Sequence, residues 1–144
     1  MIYLLDTCVV SEFIKPQPSE NLIAWLRTTD DLQMGISVIT LGELQNGIAR
    51  LDDGGRKERF QEWLNFELIP RFDNRILAVT LDDAMKWGEL MGLARRNGTP
   101  FPSTDTLIAA TALNRHTTVV TRNTKDFERI GVPTLNPWLA LPAN

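Results

Sequence analysis

Ser103-Thr104-Asp105-Thr106-Leu107-Ile108-Ala109-Ala110-Thr111-Ala112-Leu113-Asn114-Arg115-His116-Thr117-Thr118-Val119-Val120-Thr121-Arg122-Asn123-Thr124-Lys125-Asp126-Phe127 is the stretch on which the fold turns. Ser103 and Thr104 are residue types that cap helix N-termini, and the apolar run after Asp105 predicts a helix. After Arg115-His116 the pattern changes: Thr117 to Thr121 is β-branched throughout and reads as a buried strand. Asn123 and Asp126 follow that strand's end. One helix–strand unit thus carries a carboxylate, Asp105, at a helix start and another, Asp126, just past a strand. In open α/β sheets, ligands bind in the crevice beyond the carboxyl ends of the strands. Further carboxylates sent to the same rim would make it a site.

Upstream, Ile2-Tyr3-Leu4-Leu5 reads as a buried parallel strand ended by Asp6-Thr7. From Cys8 to Ile14 apolar residues recur at helical spacing. Ser19 is placed to cap a second helix with Leu22, Ile23, Trp25 and Leu26 on one face. Residues 33–38 predict a second strand, Ser37 and Thr40 the turn after it, and 41–51 a helix. Asp52-Asp53-Gly54-Gly55 is a break. Residues 56–68 predict an amphipathic helix with Phe60, Trp63, Leu64 and Leu68 inward, stopped by Pro70. Residues 76–80 predict a third strand. Asp82-Asp83 opens a helix that ends at Asn97-Gly98. Residues 126–130 predict a helical turn closed by Gly131, and 133–136 a short edge strand. Trp25, Trp63 and Trp87 fit core faces. Repeated strand-then-helix units imply a mostly parallel sheet covered on both faces.

A chain of 144 residues, 43% hydrophobic and 23% charged, reads as one globular, soluble domain over residues 1–144. No apolar run approaches a membrane span, and the apolar start is too short for a signal peptide. The single Cys8 allows no internal disulfide, so a reducing cytoplasm is expected. A net charge of −3 does not advertise a nucleic-acid binder, but setting four clustered carboxylates aside turns it into +1. Arg95-Arg96, Arg115 with His116, and Arg122 with Lys125 then read either as basic patches or as solvated surface.

Asp6 follows strand one, Glu43 lies in the helix after strand two, and Asp105 starts the last long helix; Asp126 is a fourth candidate. A parallel sheet brings these positions to one rim. Converging carboxylates repel unless a cation joins them. All-oxygen ligation suits Mg²⁺ or Mn²⁺, which can activate water and stabilise charge on a phosphoryl group. No Cys/His zinc pattern is present. Each residue also has a purely structural role open to it. Asp6 can cap the first helix. Glu43 stands three after Thr40, the capping-box spacing. Asp105 can favour the positive end of its helix dipole, and Asp126 can cap a turn. Cys8 reads as a small buried hydrophobe. Thr7, Thr121 and Asn123 read either as turn formers or as groups that hold a metal-bound water or a phosphate.

Five motifs stand in order along nearly the whole chain: Leu4-Leu5-Asp6-Thr7-Cys8-Val9-Val10-Ser11-Glu12; Ser37-Val38-Ile39-Thr40-Leu41-Gly42-Glu43-Leu44 with Gly47-Ile48; Asp105 to Ala112; Val120 to Phe127; and Asn136-Pro137-Trp138. Together they resemble the PIN-domain proteins, and closely the VapC and FitB toxins of bacterial toxin–antitoxin pairs. The resemblance implies a three-layer α/β/α sandwich with a central parallel sheet. It implies an Mg²⁺- or Mn²⁺-dependent ribonuclease, usually a homodimer, held inactive by a cognate antitoxin. The family's acidic quartet falls on Asp6, Glu43 and Asp105, and its fourth member on Asp126, with Asn123 at the alternative position. Cys8 stands where relatives often carry Asn. Two other classes compete. A phosphoryl-transfer or receiver domain also uses an acidic Mg²⁺ pocket, but position 8 holds Cys rather than an acid, and Lys125 is the only candidate lysine. A catalytically silent interaction module would keep the acids for structure alone.

Overall fold

The structure, a computed structural model, describes residues 1–140. Five strands form one sheet: β1 (Tyr3–Leu5), β2 (Met34–Ser37), β3 (Ile76–Leu77), β4 (Thr118–Val120) and β5 (Thr134–Leu135), in the order β3-β2-β1-β4-β5. Every pairing is parallel, and β1 sits between β2 and β4, with Leu4 opposite both Gly35 and Val119. The helices are α1 (Thr7–Glu12), α2 (Glu20–Thr28), α3 (Val38–Ala49), α4 (Gly55–Trp63), α5 (Ile69–Phe72), α6 (Leu81–Arg96), α7 (Ser103–Asn114) and α8 (Thr124–Ile130). Parallel strands need crossovers, and these helices supply them.

The period of two along each strand sends alternate side chains to opposite faces. Leu5 and Val120 pack with Val9, Val10, Trp25 and Met34 on one side. Leu4 and Val119 pack with Ile108, Ala109, Ala112 and Phe127 on the other. This is the expected three-layer α/β/α sandwich. The third strand is shorter than 76–80, because Thr80 leaves the ladder to cap α6 and forms a full capping box with Asp83. Trp25 is buried as expected, whereas Trp63 and Trp87 are only half-buried.

Pro70 does not stop its helix. A π-helical turn, Leu64–Leu68, follows α4, and α5 carries on through Pro70 to Phe72. Proline lacks an N–H and its ring crowds the carbonyl four residues back; the wider turn just before it accommodates both defects. Leu64, Leu68 and Phe72 stay buried on the same core.

Candidate active site

The chain extends the sheet from β1 through β2 to β3 on one side, and from β4 to β5 on the other. The carboxyl ends of β1 and β4 are therefore the switch point at which open α/β sheets bind ligands. Asp6 stands there, 6% exposed. Its Oδ1 accepts from Thr7 N at 2.8 Å and caps α1. Its Oδ2 accepts from Thr121 Oγ1 at 2.8 Å. Capping α1 takes one oxygen and leaves the other for the end of β4. Burial pushes the Asp6 carboxyl up, and the hydrogen bonds from Thr121, Thr7 and Cys8 oppose this without cancelling it.

Cys8 is not the inert hydrophobe its type suggests. It is half-buried, with Sγ 3.6 Å from Asp6 Oδ2, 3.6 Å from Thr121 Oγ1, and accepting from Arg122 N at 3.5 Å. It ties the end of β1 to the end of β4. Burial and the Asp6 charge raise its pKa, so the thiol is a weak donor and not a nucleophile.

Glu43 is free of the capping box. Ser37 caps α3 by accepting from Ile39 N at 3.0 Å, and Thr40 is buried inside the helix. Thr7 Oγ1 donates to Glu43 Oε1 at 2.6 Å, with Thr40 Oγ1 at 3.3 Å from the same hydroxyl. Asp105 is the third residue of α7, whose N-cap is Pro102; neither Ser103 nor Thr104 caps it. Burial pushes Asp105 to about 6, helped by the fields of Asp6, Glu43 and Asp126 and opposed by a hydrogen bond from Asn123. Asn123 Nδ2 donates to Asp105 Oδ2 at 3.3 Å and to Asp126 Oδ2 at 2.9 Å. Asp126 lies in the first turn of α8 and also meets Arg129 Nη1 at 3.5 Å.

Asp6, Glu43 and Asp105 line one open cleft of about 490 Å³ together with Thr7, Cys8 and Asn123. Asn123 stands on its wall; Asp126 stands behind Asn123. Among the described residues, Arg122 is the one basic residue lining the cleft. Among the described residues no three His, Cys, Asp or Glu side chains come together closely enough to hold a metal ion; the acids share a rim and each rests on its own donor. The donor set is carboxylate oxygen with hydroxyl and amide neighbours. A hard divalent cation fits that chemistry, and it would relieve the repulsion that raises Asp105.

An apolar groove of about 370 Å³ adjoins the cleft and shares Thr7 and Glu43 with it; Ile14, Leu44, Ile48 and Trp63 form much of its wall. Two buried acids escaped sequence reasoning. Glu12, 3% exposed, pairs with Lys15 Nζ at 2.8 Å. Asp83 is fully buried; its Oδ1 accepts from Arg115 Nη1 and Asn114 Nδ2, each at 2.9 Å, and its Oδ2 from Thr80 N at 3.0 Å. The Thr80-x-x-Asp83 spacing was the signal for the cap, but nothing local announced Arg115. That pairing removes Arg115 from the candidate basic patches. No described helix is long and apolar enough to cross a membrane.

The profile of the PIN domain matches residues 3–133. A VapC ribonuclease of Sinorhizobium fredii is 36% identical over 135 residues, covering 94% of this chain and 96% of that protein. The toxin FitB of Neisseria gonorrhoeae is 37% identical over 135 residues, covering 94% and 97%. The fold superposes on a chain from a structure of FitAB bound to a DNA fragment, with a TM-score of 0.90, 34% identity, and coverage of 99% and 100%.

Proposed function

Because the chain belongs to the PIN-domain family and is similar to VapC and FitB toxins, we propose that the cleft between Asp6, Glu43 and Asp105 is the active site of a metal-dependent ribonuclease. The protein is a toxin endoribonuclease of the VapC/FitB kind, inhibited by its antitoxin. The observation that carries the site reading is that Asp6, Glu43 and Asp105, from three separate elements, line one cleft beyond the carboxyl end of β1.

In this reading Asp6, Glu43 and Asp105 hold Mg²⁺ or Mn²⁺, and Asp126 completes the site through Asn123. When bound, such an ion supplies Lewis-acid polarisation of water and of a phosphodiester. The protein's own groups do the rest. Thr121 and Cys8 fix the Asp6 carboxylate, and Thr7 fixes Glu43. Asn123 holds Asp105 and Asp126 at one spacing. Asp105, at about 6 in the metal-free cleft, must give up its proton for its carboxylate to take the ion, so ion binding there should strengthen as pH rises through 6. RNA is the substrate, bound through phosphate contacts that weaken with salt.

The adjoining apolar groove suits an antitoxin segment, with an Arg or Lys of that partner reaching Asp6 and Asp105. A homodimer belongs to the same reading. On α6, Trp87 and Met91 are half-buried, and Leu81, Met85 and Leu93 are the exposed large apolar residues a second copy would cover. The lone Cys8 agrees with a cytoplasmic location, and one domain is inferred to run to Asn144, past the described residues.

The test is cleavage of a single-stranded RNA by wild type and by Asp6→Asn, with Mg²⁺, with Mn²⁺ and with EDTA. Cutting that needs both the ion and Asp6 supports the reading. A wild type that neither cuts nor binds Mn²⁺ at millimolar concentration is a silent interaction module.

A further inference from the structure

We propose that Arg122, held on the face of Trp138, receives an RNA phosphate at the acidic cleft. This rests on the nuclease reading of that cleft and names the residue that brings the substrate to it. Of the neighbouring cations, Lys15 is paired with Glu12 and Arg129 with Asp126, while Lys125 does not line the cleft. Arg122 lines the cleft, is exposed, and has no ion pair or side-chain hydrogen bond among the described residues. Its guanidinium carbon lies 4.3 Å from the Trp138 ring centroid, nearer than in any other such stack among the described residues.

The platform is fixed. Trp138 N donates to Asn136 Oδ1 at 3.0 Å, its carbonyl accepts from Asn21 Nδ2 at 2.8 Å, and its ring packs on the core that contains Leu5 and Val9. The other end of Arg122 is fixed too, since its N–H donates to Cys8 Sγ. Stacking covers one face of the guanidinium and leaves its planar fork of N–H donors for a bidentate anion. An acidic cleft repels a polyanion. A pre-set arginine in no ion pair, its field reaching Glu12 only at longer range, is the group at the edge of that cleft that counters the repulsion.

The probe is a fluorescein-labelled twelve-nucleotide single-stranded RNA, titrated by anisotropy in Mg²⁺ at several salt concentrations. The parent carries Asp105→Asn so that the RNA survives. Adding Arg122→Gln should weaken binding about 10- to 100-fold, the range for a hydrogen bond to a charged group. It should also flatten the log K against log salt slope by about 0.7, one phosphate on a single strand. Arg122→Lys should keep the slope and regain only part of the affinity. Trp138→Leu should keep the slope and lose several-fold. Melting curves check that each variant folds; if Trp138→Leu does not, the exposed Arg122→Gln decides alone. Parental affinity in Arg122→Gln, or weaker binding at an unchanged slope, overturns the proposal, as does a parent that binds no RNA. Cleavage by the protein with Asp105 intact separates the two readings. RNA bound through Arg122 but never cut ends the nuclease alone, and RNA cut with binding indifferent to Arg122 ends only this assignment.

Discussion

Asp105 holds a carboxylate where burial and three neighbouring acids disfavour its charge. Its folded pKa of about 6 lies above the unfolded value, so the native state binds more protons between about pH 4 and pH 6. Stability without metal should therefore fall as pH rises through that window and stay lowered above it. Asp105→Asn is nearly isosteric and removes the term. In EDTA the mutant should match wild type below pH 4 and melt no lower, or higher, at pH 7. Mn²⁺ at ~100 times its dissociation constant should stabilise wild type by about 2.7 kcal/mol, the mutant by much less, and the mutant should lose RNA cleavage. A helix-dipole role alone gives the reverse: a mutant about 0.3–1 kcal/mol less stable, with an unchanged metal response. Asp6 and Glu43 were readable because each follows an apolar strand, and Asp105 because it opens the apolar helix that leads into β4. The hydrogen-bond partners of Cys8 and Asn123 were not, because Thr121, Asp105 and Asp126 reach them only through tertiary packing or a turn whose shape the residue types leave open.

Among elements, the pair α6 and α7 is joined by the Asp83–Arg115 bridge at one end and, near Asp105, by Trp87 Nε1 donating to Ser103 O at 3.0 Å. Burial works against the Asp83 charge, but Arg115, Thr80 N and Asn114 outweigh it and bring the pKa down to about 2. That stabilisation is complete above about pH 4 and is lost as pH falls toward 2. Asp83→Ala strands Arg115 and opens the capping box, and should cost about 3 kcal/mol in urea denaturation at pH 7. At the other end of α7, His116 has φ +54°, the left-handed conformation of a helix C-terminus, and is exposed. His116→Gly should stabilise by about 0.5–1 kcal/mol in the same assay, because only the side chain disfavours that backbone. The strands were legible as apolar or β-branched runs, and so was the αL glycine that ends α8. The π turn before Pro70 was not, since proline looks like a stop in sequence; it becomes a continuation because Leu64, Leu68 and Phe72 gain burial on one core.

At the scale of the molecule the acid cleft and the apolar groove share Thr7 and Glu43, so one partner can cover both. Leu44→Glu in the groove should weaken antitoxin binding at least tenfold by calorimetry while RNA cleavage persists. An antitoxin cut back before its groove-binding segment should no longer inhibit; undiminished inhibition would show that the block lies elsewhere. Light scattering at tens of micromolar should report a dimer, and Met85→Glu, 68% exposed at present, should shift it to monomer. The bond between Asp6 and Thr121 spans 115 residues of sequence, and it has a bearing on how the cell makes this protein. β1 is the first strand to leave the ribosome, yet one of its two neighbours, β4, is among the last. At about 5–20 residues per second, the nascent chain passes most of its synthesis with Asp6 in place and no Thr121 to receive it. The cleft can therefore assemble only once Thr121 has emerged, so ribosome-stalled chains that end before it should cut no RNA.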